Sequence, residues 1–380
     1  MEYQDKEDFL KAALKDSLGH LQVKTYLDDI LDKPVVTGHD LAEPNKDIEW
    51  FEKGLLTTGI QASVLHKAIA ITRKMFDWTL AEQDPEKCKH DADDLQDFNK
   101  KKALIFLGCS SNLMTSGTRE ILNYLLKYRM VNVFVTPAGG IEEDLIRTFG
   151  DYKIGNFGES VPEGYEKQGN LLVPIEAQNK FRVWVKERFR ELHLQQNLAK
   201  NVVATPSSIA KYLGEQINNE SSCLYWAAKN EIPVFSPALT DGYIGECLVE
   251  YNVEYPGFII DVARDIHNID KIPHRAKCTG ALIFGAGIIK HHILNANLMR
   301  NGADYAVIVN TGSEWEASDS GAKPNEALSW GKLRLDSEFA KIYGEANVIA
   351  PILVAAVLRN KEKYRRDLEW KEYVAKNKRR

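Results

Sequence analysis

The sequence predicts an α/β protein: a Rossmann-like parallel sheet with helices on both faces, plus an N-terminal helical extension. Three observations predict it. From Ala103 to Val309, short β-branched or apolar runs alternate with stretches of helical periodicity, as in a parallel sheet whose crossovers are helices. Loops rich in glycine and hydroxyl residues follow those runs, on the side where an open parallel sheet binds its ligands. Ahead of them, Phe9, Leu10, Ala13, Leu14 and Leu18 recur at helical spacing.

Taken in order, residues 1–32 read as a helix, and a second helix follows over 58–80, with Ile60, Val64, Ala68 and Ile71 on one face. Residues 82–102 are almost wholly polar around Asp84-Pro85 and read as a solvated loop. Residues 103–107, 131–135, 232–235, 258–262, 281–284 and 305–309 read as buried strands, and 119–128, 181–198 and 288–299 as helices between them. The last stretch, 361–380, is rich in Lys, Arg and Glu and reads as a solvated terminal helix. The division expected is an extension over 1–56, a nucleotide-binding domain over 57–360 and a charged tail over 361–380.

Composition limits the function classes. With 380 residues and 44% hydrophobic side chains, the chain can bury a large core, and 27% charged residues is ordinary for a globular protein. A net charge of -5 is not the strongly basic balance of a dedicated nucleic-acid binder. The start, Met1-Glu2-Tyr3-Gln4-Asp5, lacks the apolar segment of a secretion signal. The longest apolar run, 346–358, contains Asn347 and Pro351 and is too short to span a bilayer. The expectation is a cytoplasmic protein with neither nucleic-acid nor membrane partners. The five cysteines form no CxxC pair, and the adjacent His291 and His292 do not share one helix face, so no metal centre is expected.

The loops after the strands hold the candidate chemistry. After 103–107 comes Gly108-Cys109-Ser110-Ser111-Asn112-Leu113-Met114-Thr115-Ser116-Gly117, either a phosphate cradle at a helix N-terminus or an ordinary capped turn. After 131–135, Gly139 and Gly140 permit close backbone approach, and Glu142, Glu143 and Asp144 suit the start of a helix. Asp241-Gly242 is a turn signature whose carboxylate can also accept ribose hydroxyls. Gly285-Ala286-Gly287 is a partial dinucleotide fingerprint, with Lys290 where its third glycine belongs. The densest stretch, Asn310 to Lys332, is too long for a simple turn and is full of acids, hydroxyls and two tryptophans. Within it Trp330-Gly331-Lys332 sets an aromatic beside an amine: a surface lysine, or one desolvated enough to form a Schiff base.

Together these segments resemble deoxyhypusine synthase. The matching stretches include Thr57-Thr58-Gly59-Ile60-Gln61-Ala62, Ser111-Asn112-Leu113, Ala138-Gly139-Gly140, Gly169-Asn170-Leu171-Leu172-Val173-Pro174, Phe235-Ser236-Pro237-Ala238-Leu239-Thr240-Asp241-Gly242, Asn295-Ala296-Asn297-Leu298-Met299-Arg300-Asn301-Gly302-Ala303-Asp304, Ser318-Asp319-Ser320-Gly321-Ala322 and Ser329-Trp330-Gly331-Lys332. They run in order along nearly the whole chain. The resemblance implies NAD-dependent transfer of the aminobutyl group of spermidine to one lysine of the precursor of eukaryotic translation initiation factor 5A, through an imine on an enzyme lysine. It also implies a homotetramer, or a heterotetramer with a paralogue.

By that resemblance Lys332 is the nucleophile and His291 a base near the secondary amine of spermidine. Glu142, Glu143, Glu246, Ala317, Ser318, Asp319, Glu326 and Trp330 would line the polyamine site. NAD would meet Ser111, Asn112, Leu113, Met114, Thr115, Pro137, Ala138, Gly139, Glu143, Asp241, Ala286, Thr311, Gly312, Glu345 and Ala346. Several positions depart from the family pattern. Pro137 stands for threonine, Glu246 and Glu345 for aspartates, and Ala286 and Ala317 for glycines; Gly312 is also atypical. These departures give a second reading, a regulatory subunit that activates a paralogous synthase. A third, a sirtuin-type deacylase, is weakened by motif order and by the absence of four zinc cysteines.

Overall fold

The computed structural model describes residues 33–85, 101–199, 203–316 and 318–377. The expected helix over 1–32, most of the polar loop over 82–102, and Ala317 lie outside the described residues. The chain divides into two compact units, 1–66 and 67–380, at a point inside the helix Ile60–Asp77. In the first unit, Asp47 accepts the N–H groups of Glu49 and Trp50 and starts the helix Ile48–Thr58. Gly54 admits the ring of His39, where a Cβ would stand 2.2 Å from the imidazole.

The second unit is built on six parallel strands: β1 (Leu104–Cys109), β2 (Val133–Val135), β6 (Val234–Phe235), β7 (Thr279–Phe284), β8 (Ala303–Asn310) and β9 (Leu333–Tyr343). Their spatial order is β6-β2-β1-β7-β8-β9. Numbered by appearance within this sheet, that is 3-2-1-4-5-6, the doubly wound order with its switch point between β1 and β7. Both central strands are buried along their whole length, which explains their unbroken apolar runs. Phe106, Phe134 and Phe284 are fully buried, each contributing about 1.5–3 kcal/mol of hydrophobic stabilisation.

A smaller antiparallel sheet, β3 (Lys153–Ile154), β5 (Leu171–Pro174) and β4 (Tyr165–Gln168), precedes the long helix Ile175–Leu198. Neither this sheet nor β9 is expected from the sequence. The stretch 258–262, expected to be a strand, forms only an isolated bridge between Ala204 and Ile260. Asp261 instead caps the helix Val262–His274 by accepting the N–H of Arg264 at 2.9 Å. The expected terminal helix forms over Asp367–Asn377, but its start is packed rather than solvated: Arg366 and Asp367 are buried, and Arg366 donates to the carbonyl of Ala103 at 3.2 Å.

Candidate active site

Every candidate loop leaves the carboxyl end of a strand of the larger sheet. The nucleophile candidate is placed by helix-capping chemistry. The helix Pro324–Ser329 ends with Trp330 at its cap and Gly331 in the left-handed region at φ 69°. The N–H of Lys332 reaches the carbonyl of Ala327 at 2.9 Å, and that of Gly331 reaches Leu328 at 3.0 Å. This is a Schellman motif, in which glycine belongs at the turn. Trp-Gly-Lys is therefore a structural stop that presents an aromatic and an amine side by side before β9.

Lys332 lines a cleft of ≈ 470 Å³ with His291, Asp319, Glu326 and Trp330. His291 comes from the helix Ile288–Leu298 after β7, Asp319 from the loop after β8, and Glu326 from the short helix that ends at Trp330. Asn295, one turn after His291, sets its amide nitrogen 3.1 Å from His291 Nδ1 and 3.4 Å from Nε2 and so orients the ring. Asp319, Glu326, the face of Trp330, the His291 imidazole and the Lys332 amine suit a flexible polycation with a reactive centre, while Lys323, which also lines the groove, is paired with Glu314 at 2.8 Å. Asn295, Leu298 and Lys290 also line it, and sequence reasoning passed over them. Asn295 and Leu298 follow His291 at i+4 and i+7, the spacing that could have found them.

Asp241 and Glu246 are placed apart from Lys332. They line a second cleft of ≈ 860 Å³ at the helix Tyr243–Glu254, with Leu248, Val249 and Val253. The run Glu142, Glu143 and Asp144 is buried on the helix Ala138–Ile146 after β2. Glu142 accepts the N–H of Ile244 at 2.7 Å, and burial pushes its carboxyl up to about 7 although the backbone bonds pull it down. Glu143 accepts from the Tyr152 hydroxyl at 2.6 Å and the Gln168 amide at 2.8 Å. Asp144 pairs with Arg119 at 2.7 Å.

At the switch point the donors and spaces fit a dinucleotide. Gly285 and Gly287 take φ of 122° and 62°, and a Cβ on Gly285 would stand 2.9 Å from that of Ser110. Ala286 between them is not among the residues with positive φ, so its methyl meets no backbone penalty. A Cβ on Gly139 would fall 2.7 Å from that of Ser111, so the turns after β1 and β2 approach at backbone distance. Pro137 precedes the helix at φ -70°, an angle proline favours. Ser236 Oγ, at the end of β6, is buried with no hydrogen-bond partner among the described residues. Leu113 and Met114 are completely buried. Thr311 is exposed and Gly312 and Ser318 half-buried in the loop after β8. Glu345 caps the helix Ala346–Val357 through the N–H of Val348 at 3.1 Å and receives the Asn347 amide at 2.8 Å.

This is a doubly wound dinucleotide-binding protein with a lysine-bearing cleft at the carboxyl ends of its strands. The sequence model of the deoxyhypusine synthase family matches residues 52–357. A deoxyhypusine synthase of Senecio vernalis is 45% identical over 84% of this chain and 88% of its own length. One of Arabidopsis thaliana is 44% identical over 86% and 90%. Homospermidine synthase 1 of Senecio vernalis is 43% identical over 80% and 84%. Among solved structures, a chain from Entamoeba histolytica assigned as a deoxyhypusine synthase matches with a TM-score of 0.63 at 30% identity, covering 85% of this chain and 97% of that one. The chain belongs to the deoxyhypusine synthase family. Enzymes of this family use NAD as cofactor.

Proposed function

We propose that this chain transfers the aminobutyl group of spermidine to one lysine of the eukaryotic translation initiation factor 5A precursor, forming deoxyhypusine. The observation that carries the reading is the single cleft that joins Lys332, His291, Asp319, Glu326 and Trp330. When bound, NAD supplies a hydride acceptor for the carbon beside the secondary amine of spermidine and returns that hydride at the end. Residues Ser111 to Thr115, Pro137 to Gly139, Glu143, Asp241, Ala286, Thr311, Gly312 and Glu345-Ala346 would hold it around the switch point.

The chain's own groups do the rest. Asp319 and Glu326 bind the terminal ammonium groups, and Trp330 covers the methylenes. His291 takes the proton of the secondary amine as the C=N bond forms. Lys332 adds to that carbon and expels 1,3-diaminopropane, leaving the aminobutyl group as an imine on its own nitrogen. The acceptor lysine adds next and frees Lys332, and reduction of the new imine completes a transfer with no net redox change. Asp241 and Glu246 would complete the site from a second copy of the chain, since they line a different cleft whose wall exposes Val249 and Val253. That makes the working unit an oligomer built from such pairs, a homotetramer in this reading. Among the described residues no helix is long and apolar enough to cross a membrane, and we place the enzyme in the cytoplasm with its protein substrate.

The regulatory-subunit reading is not favoured. The relatives above are named synthases, the cleft keeps its nucleophile and carboxylates, and Ala286 fits without strain. The test is transfer from labelled spermidine, by the purified chain alone with NAD, to the factor precursor or to a small diamine. Label on the precursor supports the reading. Label on the diamine alone would make the acceptor a small amine, and no transfer without a paralogue would restore the regulatory subunit.

A further inference from the structure

The loop that carries Asp319 leaves β8 at Thr311 and returns through Ala322. Its two limbs lie backbone to backbone. A Cβ on Gly312 would stand 2.9 Å from the carbonyl of Ser320, and one on Gly321 would overlap the carbonyl oxygen of Ser313. Two ammonium groups meet the carbonyls of these limbs. Lys341, from β9, donates to Gly312 at 3.1 Å and to Gly321, one carbonyl from each limb. Lys290, from the helix after β7, donates to Asp319 and to Ala322 at 3.2 Å.

Lys290 is only 4% exposed and lines the cleft of Lys332. Among the described residues neither lysine is ion-paired with a carboxylate. Burial lowers the proton affinity of both. A buried and a half-buried ammonium group committed to backbone carbonyls are a costly way to stabilise a fold. They are well suited to fixing one geometry: an ammonium has three donors, and each here spans two carbonyls.

Resting on the site reading above, we propose that Lys290 and Lys341 are positioning residues for this loop: Lys341 staples its two limbs, Lys290 ties Asp319 to Ala322 within the returning limb, and together they hold Asp319 at the polyamine cleft. Neither lysine takes part in bond making. Replacing one with methionine keeps the bulk, removes the donors and lets the loop sample other shapes.

The test uses the full chain, with spermidine affinity measured by calorimetry in the presence of NAD, NAD affinity measured alone, and backbone hydrogen exchange read across 312–322. Lys341→Met should weaken spermidine binding about tenfold, the scale of one charge-assisted hydrogen bond, and speed exchange across the loop. NAD affinity should fall less than spermidine affinity, since only Thr311 and Gly312 of this loop are assigned to the cofactor. In an Asp319→Asn background the same change should cost spermidine binding less than about twofold, because the lysine acts through Asp319. Lys341→Arg, which keeps charge and donors, should restore most of the slow exchange and serves if the methionine variant does not fold. Unchanged exchange in Lys341→Met would overturn the staple. Full additivity with Asp319→Asn would overturn its link to Asp319. Spermidine binding indifferent to Asp319→Asn alone would remove the site reading and with it the role given to the lysines, an outcome the exchange data keep distinct from failure of the staple.

Discussion

The carboxylate of Glu142, on the helix after β2, accepts the backbone N–H of Ile244 at 2.7 Å, in the first turn of the helix after β6. Two crossover helices from neighbouring strands are thus joined through one side chain. Gly242 makes the approach possible, since a Cβ there would stand 2.8 Å from both carboxylate oxygens. The next two residues work the same way. Glu143 reaches Tyr152 and Gln168, and Asp144 reaches Ser222, Cys223 and Leu224 at the start of the helix Cys223–Lys229. The helix Ala138–Ile146 is therefore a hub from which the Asp241 loop, the small sheet and a further crossover helix are set.

Burial of Glu142 makes stability depend on pH. Burial raises this carboxyl from 4.5 to about 7. The folded state then holds a proton that the unfolded chain releases, so the contribution is complete below about pH 4.5 and is lost as pH rises through about 7. The loss amounts to about 3 kcal/mol at most. Glu142→Gln keeps an acceptor for Ile244 without titrating. Thermal midpoints from pH 5 to 8 should fall more steeply for wild type than for the variant. Parallel curves would mean that Glu142 is ionised throughout.

Asp144 carries the opposite expectation, independence from the substrate. Its carboxylate is fully buried and takes Arg119 at 2.7 Å, the Ser222 hydroxyl at 2.6 Å and two backbone N–H groups. Asp144→Asn leaves the buried Arg119 charge with only the exposed Glu120 at 3.9 Å, at a cost of about 3–5 kcal/mol. A large drop in unfolding midpoint is expected, with spermidine and NAD affinities little changed at low temperature. A variant of wild-type stability would mean that solvent reaches Arg119.

What the sequence carries and what it hides follow from local physics. β1 and β7 are legible because strands buried on both faces read as apolar runs. β9 is not, because Arg334, Asp336 and Glu338 place charges along a sheet edge, with Leu335 left 92% exposed. Residues 258–262 carry β-branched side chains and read as a strand, but Asp261 caps a helix there, and capping prevails over propensity. In the site, family motifs carry Lys332, His291 and Asp319, and helical spacing carries Asn295. Lys290 is visible only as an intruder at a glycine position, since nothing local tells that it reaches carbonyls 29 and 32 residues away.

The Schellman turn gives a way to move the proposed nucleophile without removing it. Gly331 sits at φ 69°, and a Cβ there would meet Leu298 at 3.3 Å. Gly331→Ala should cost only about 1–2 kcal/mol of stability. Lys332 would be displaced, so borohydride trapping of the spermidine-derived imine should slow at least tenfold, while Lys332→Arg abolishes it. Trapping at the wild-type rate in Gly331→Ala would show that the turn does not set the amine; labelling of Lys332→Arg would move the imine to another residue.

Separation of the two clefts predicts complementation between inactive chains. Lys332 lies in one cleft and Glu246 in the other. If a working site takes Lys332 from one copy and Glu246 from its partner, a chain with Lys332→Arg and a chain with Glu246→Gln fail alone for different reasons. In a two-fold pair of one with the other, one site carries both changes and the second carries neither. Random mixing puts half the pairs in this mixed form, so about a quarter of all sites should be intact. The two variants would be dissociated, mixed in equal amounts and reassociated, and transfer from spermidine followed. Recovery toward a quarter of wild-type activity supports a site shared between copies. Activity no higher than the mean of the two variants alone would mean that each chain assembles its site unaided.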